Sequence, residues 1–148
     1  MKRIITLLVA VAMALSVGVI ATSALTATEE YSEKVVNQPE TGTRWVNTNS
    51  INLGISYSGT TISCSGTIRG NANVNSITAV FTLSRQNSNG TFTTVKTWSR
   101  SSDSRTLNFS ETYSPVSKGQ TYRLSVSATV TAIGGVNEGV SDSIVKTY

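Results

Sequence analysis

With no histidine and one cysteine, Cys64, this 148-residue chain lacks the commonest general base and metal ligand and has no intramolecular disulfide to form. Charged residues make up only 14 %, and twelve Lys and Arg against eight Asp and Glu give a formal charge of +4. Two of those cations, Lys2 and Arg3, belong to an N-terminal leader, and the charge of about +2 left without them is too small to argue for nucleic acid or anionic lipid.

The leader is residues 1–27. Lys2 and Arg3 open it, Ile4 to Ile20 is an uncharged apolar run, and Ala21, Thr22, Ser23, Ala24 and Ala27 supply the small residues of a cleavage site. This is the pattern of a secretory signal peptide cut after Ala24 or, preferably, Ala27, so the protein is expected outside the cell with no membrane association once cut. Removal leaves 121 residues, enough to bury roughly two thirds of their unfolded surface in one core. Residues 28–44 carry Glu29, Glu30, Glu33, Pro39 and Glu40 without sustained periodicity and read as a flexible polar tether.

From Trp45 the pattern changes to short alternating runs separated by turn residues. Ile51, Leu53, Ile55 and Tyr57 alternate as far as Ser58-Gly59. Ile62, Cys64, Gly66 and Ile68 follow as far as Gly70-Asn71, then Ile77, Ala79, Phe81 and Leu83 up to Asn87. Asn89-Gly90 is a strong hairpin signal, because both residues tolerate positive φ. The next strand, Thr91 to Arg100, places Phe92 and Trp98 on one face and Val95 on the other. Leu107, Phe109 and Tyr113 alternate before Pro115. Lys118 to Ile133 holds the longest clean alternation, with Tyr122, Leu124, Val126, Ala128, Val130 and Ala132 on one face, and reads as a central strand. Gly134-Gly135 and Gly139 set off a last strand from about Val140 to Tyr148. The sum is a single all-β domain, residues 45–148, of seven antiparallel strands with Ser and Thr on the outward faces.

Gly119-Gln120-Thr121-Tyr122 followed by Leu124, Val126 and Ala128 resembles the sixth strand of immunoglobulin-like and fibronectin type III sandwiches, where a tyrosine at the strand start bonds back to the preceding corner. Cys64 falls where immunoglobulin domains carry a first disulfide cysteine, but Leu124 stands at the partner position and the third-strand tryptophan is absent. Tyr122 and Cys64 are therefore assigned structural roles. The succession SNGTFTTVKTW, SPVSKGQTYR and a closing KTY resembles small secreted proteins of Gram-positive bacteria. That resemblance implies fold and compartment and carries over no catalytic residue.

Catalysis is not expected. No histidine is present to activate a serine, and Lys34, Lys96, Lys118 and Lys146 lie in no dyad motif. Asp103, Glu111, Glu138 and Asp142 read as solvated acids. Glu138 and Asp142, four apart on one strand face, are about 13 Å apart at Cα, wide for paired-carboxylate chemistry. No cofactor or metal site is indicated. What remains is a binding module for carbohydrate or a surface protein, with Phe92 and Trp98 as an aromatic platform and Asn87 and Asn89 on the adjoining hairpin. The loops Asn71 to Asn75 and Gly134 to Asn137 are the alternative surface. A structural subunit pairing through edge strands and a secreted hydrolase are the competing functions.

Overall fold

The computed structural model describes residues 31–36 and 45–148. The expected signal peptide, residues 1–27, lies outside them. Eight strands are formed, with no helix among the described residues: β1 (Tyr31–Val36), β2 (Thr48–Ser58), β3 (Thr61–Gly70), β4 (Val74–Gln86), β5 (Phe92–Ser102), β6 (Thr106–Tyr113), β7 (Thr121–Ala132) and β8 (Asn137–Thr147). The seven strands from β2 to β8 are those the alternation predicts. β1 is an addition. It lies within the stretch read as a tether and pairs antiparallel with β2, Tyr31 opposite Ser56 and Val36 opposite Ile51.

All pairing is antiparallel, in two sheets ordered β1-β2-β3-β6 and β5-β4-β7-β8. β7 lies between β4 and β8, the central place its long alternation predicts. Each sheet turns its apolar parity inward, so that Ile51, Leu53, Ile55, Ile62 and Ile68 of one sheet share a core with Ile77, Phe81, Leu83, Leu124 and Val130 of the other. Phe81 stacks on Phe109 across the two sheets, centroids 4.0 Å apart and planes 5° from parallel. The close approach needs Gly66, whose missing side chain leaves the space that Phe81 occupies.

At the end of the molecule where β7 begins, the ring of Tyr57 stacks on Tyr148 at 4.5 Å. The Tyr57 hydroxyl donates to the Lys146 carbonyl at 2.8 Å, and the Tyr148 hydroxyl to Gly59 O at 2.6 Å. Tyr122 is buried beside them, its hydroxyl met by the backbone of Ser117 in the loop before β7. Burial, chiefly, raises its pKa above the ordinary tyrosine value.

Cys64 is 1 % exposed, on the inward face with Ile62 and Ile68. Burial pushes its thiol up to about 12, so no appreciable thiolate exists at neutral pH. Native protein should therefore resist a bulky thiol reagent and react only on unfolding; rapid labelling of the folded chain would contradict the register. Cys64→Ala should lower stability by about 1–2 kcal/mol, measured by urea denaturation.

Candidate functional site

The four residues singled out as a binding platform do not form one. The β4–β5 register contains a bulge: Leu83 pairs with Lys96 but Ser84 with Thr94, which leaves Val95 as an extra residue. An extra residue reverses the side-chain parity of the strand beyond it. Trp98, paired with Phe81, consequently points inward and is 8 % exposed, its ring meeting Phe109 edge-on at 5.5 Å. Phe92 stays on the outer face beneath Arg123, whose Cζ lies 4.3 Å from the ring centroid.

Asn87 and Asn89 are engaged within their own turn. Asn87 Nδ2 donates to Thr91 Oγ1 and Thr93 Oγ1, both at 2.9 Å. Asn89 Oδ1 accepts from the Thr91 backbone N–H at 3.0 Å and from its hydroxyl at 2.6 Å. Gly90, at φ 82°, closes the turn. These asparagines shape the hairpin and hold little capacity for a ligand.

The second surface named from the sequence, the loops around Asn71–Asn75 and Gly134–Asn137, is brought together with residues 45–47 at the far end of the sandwich. A bulge at each border helps to aim the chain there, Asn49 being the extra residue between β2 and β3 and Asn75 the extra residue between β4 and β7. Backbone bonds then lace the three segments. Asn71 N–H donates to Asn47 O at 2.8 Å, and Ile133 N–H to Asn73 O at 2.7 Å. Asn71 contributes its side chain as well, Nδ2 donating to Val46 O at 2.9 Å while Oδ1 accepts from Asn73 N–H at 2.8 Å.

Glu138 locks the frame. Its carboxylate accepts from the backbone N–H of Val46, from that of Asn47 at 3.1 Å, and from the Thr48 hydroxyl at 2.7 Å, tying the start of β8 to the start of β2. The solvated acid expected from the sequence is thus a clamp. Glu111 departs from that expectation too, since it forms an ion pair with Arg100 that bridges β6 and β5. Burial raises the pKa of Glu138, but the hydrogen bonds from residues 46–48 outweigh it and hold the carboxyl below its ordinary range.

A depressed folded-state pKa stabilises above the unfolded value and is lost as pH falls through the folded value. Glu138→Gln should therefore cost about 1 kcal/mol at pH 7, the lower part of the range for a charge-assisted bond because the group is partly exposed. The gap between wild type and variant should close as pH drops below about 4.5, the ordinary carboxyl value. Urea denaturation at pH 7 and pH 3 measures both; a gap that widens in acid would refute the clamp.

Within this frame lies an open cleft of about 520 Å³ lined by Val46, Asn47, Asn73, Ile133, Val136 and Glu138. Its apolar lining stands out to solvent: Val46 is 77 % exposed, Ile133 70 % and Val136 61 %. Three aliphatic side chains from two loops, held on a hydrogen-bonded frame and left in water, form the kind of patch that marks a contact surface. Val136 lies in the Gly134 to Asn137 loop expected from the sequence, whereas Val46 and Ile133 were not expected at a site. Ile133 and Val136 flank Gly134-Gly135, and an aliphatic pair across a glycine turn is a visible signal, but Ile133 directly follows the alternation of β7 and reads as the end of that strand. Among the described residues no three Cys, Asp or Glu side chains come together to hold a metal ion.

No protein-family model matches the chain, and a comparison with curated proteins finds no match. The functional reading therefore rests on the chain's own geometry.

Proposed function

We propose that this chain is a secreted, non-catalytic binding module that holds a surface protein in its loop-end cleft. The observation that carries the reading is the exposed set Val46, Ile133 and Val136 on the frame locked by Glu138. Aliphatic tips ringed by Asn47, Asn73 and Asn137 match the apolar centre and polar rim of a protein–protein contact. A sugar-stacking site would instead present an aromatic ring, and none lines this cleft. The engagement of Glu138 with residues 46–48 weighs against a hydrolase, because a carboxylate held ionised by three donors is a poor general acid.

Topology supports an immunoglobulin-like or fibronectin type III-like domain. With β1 set aside, β2-β3-β6 follows the A-B-E order, and β5-β4-β7-β8 follows C′-C-F-G. Tyr122, at the start of the F-equivalent strand with Ser117 at its hydroxyl, stands where such domains have a tyrosine corner. In that frame the cleft is built by the loops equivalent to B–C and F–G, which immunoglobulin variable domains use for recognition.

The test is binding of the labelled mature chain to source-organism cells, intact or protease-shaved, with wild type and the Ile133→Ser/Val136→Ser variant compared. Wild type should bind intact cells, lose that binding on shaving, and bind at least about tenfold more tightly than the variant, as expected when central apolar contacts are removed. Circular dichroism checks that the variant is folded. Equal binding by both chains would remove the cleft from the function, and binding that survives shaving would remove the protein ligand.

A further inference from the structure

We propose a second site, independent of the loop-end cleft: a groove on the outer face of β5-β4-β7-β8 that takes an acidic saccharide, its carboxylate on Arg123. Arg123 lies near the start of β7, and the loop-end cleft begins at its last residue, Ala132. Nine residues of strand separate them by about 30 Å.

The groove is about 430 Å³ and is lined by Val80, Thr82, Arg123, Ser125, Ser127, Ser141, Asp142 and Ser143 among others. Strand register orders these residues as rungs. Thr82, Ser125 and Ser143 lie side by side across β4, β7 and β8, and Val80, Ser127 and Ser141 form the next rung. Neighbouring strands are about 4.8 Å apart, so hydroxyls repeat across the sheet at about the length of one pyranose ring. Each hydroxyl donates and accepts, as the hydroxyls of a sugar ring require. Exposed Val80 and Val145 lie on the same face and offer apolar surface to ring C–H groups.

Arg123 ends the groove and gives it a charge preference. Its guanidinium carbon lies over the Phe92 ring, 4.3 Å from the centroid, and among the described residues the group has no carboxylate partner. Its Nε is buried without a hydrogen-bond partner. A guanidinium seated over a ring and lacking an acid can offer its fork to an incoming carboxylate, a geometry that lysine does not reproduce. The one acid in the lining, Asp142, pairs with Val126, a core-facing position three residues along β7 from Arg123 and about 10 Å away. Its Oδ1 accepts from Ser143 N–H at 2.8 Å. The positive end of the groove is therefore separate from its acid.

The experiment titrates isotope-labelled mature chain with trigalacturonate, with trimannuronate, and with the methyl ester of each, the ester of the acid that binds serving as its comparison, following amide shifts by NMR. At least one of the two acids should shift Thr82, Arg123, Ser125 and Ser141 while leaving Ile133 and Val136 in place. The ester, which keeps the rings and loses the charge, should bind about tenfold more weakly or worse, and Arg123→Gln should weaken the acid equally. Ester and acid binding alike, no binding by either acid, or shifts confined to the loop end would each overturn the proposal. The ester comparison uses wild type, so a poorly folded Arg123→Gln would not spare it.

Discussion

Trp98→Ala should lower stability by about 3–5 kcal/mol and leave the domain partly unfolded at room temperature, the range for removing a buried tryptophan. Trp98 is paired with Phe81 in the ladder and meets Phe109 edge-on, so the substitution opens a cavity beside two stacked rings that are themselves buried. It lies at the edge where β5 of one sheet faces β6 of the other, a seam also crossed by the Arg100–Glu111 ion pair. Arg100 lies over the Phe109 ring as well, Cζ 5.8 Å from its centroid, so loss of the indole removes support from the charged group that screens the seam. Phe92→Ala is the matched comparison. It removes a ring from the same strand but from the outer face, and should cost under about 1 kcal/mol. Urea denaturation of the pair separates the two faces of β5; equal losses would place the bulge elsewhere.

The contrast between these two residues shows what the sequence makes legible. Alternation is a local property, so the seven strands β2 to β8 and the centrality of β7 can be read from residue order. A bulge is not local. Nothing in Thr93-Thr94-Val95-Lys96 announces that Val95 is passed over in the ladder, because β4 decides the pairing. One such residue sends Phe92 and Trp98 to opposite faces, and the inferred platform disappears with it. β1 is hidden for a related reason: YSEKVV has a short and weak pattern, and it is strand because the edge of β2 offers it a ladder. The loop-end site lay half in view. The asparagine- and glycine-rich loops were visible as candidates, but their joining through Glu138 to residues about ninety positions earlier in the chain is a contact that no local window contains. Arg123 was visible as the one cation on the outward face of β7; its pairing with Phe92 needed the register of three strands.

Gly66→Ala should lower stability by about 2–3 kcal/mol, the upper part of the range for overpacking a core. A Cβ at position 66 would sit 2.6 Å from Phe81 Cε1, 3.2 Å from Phe81 Cζ and 3.4 Å from Leu53 Cδ2. Phe81 cannot give way easily, being fully buried and stacked at 4.0 Å on Phe109, the residue that pairs with Gly66 itself across β3 and β6. Relief would have to come from separating the two sheets, which loosens contacts along the whole interface. Gly139→Ala is the control, since a Cβ there meets nothing within 4 Å and its backbone is not in the left-handed region. It should be neutral or slightly stabilising through the unfolded chain. A double-mutant cycle carries the argument further. Phe81→Leu alone should destabilise by opening a cavity, yet combined with Gly66→Ala it should cost less than the sum, because each change supplies what the other lacks in volume. Strict additivity would mean that the methyl group is accommodated by backbone movement in β3 and that the clash with Phe81 is not the reason glycine stands at this position.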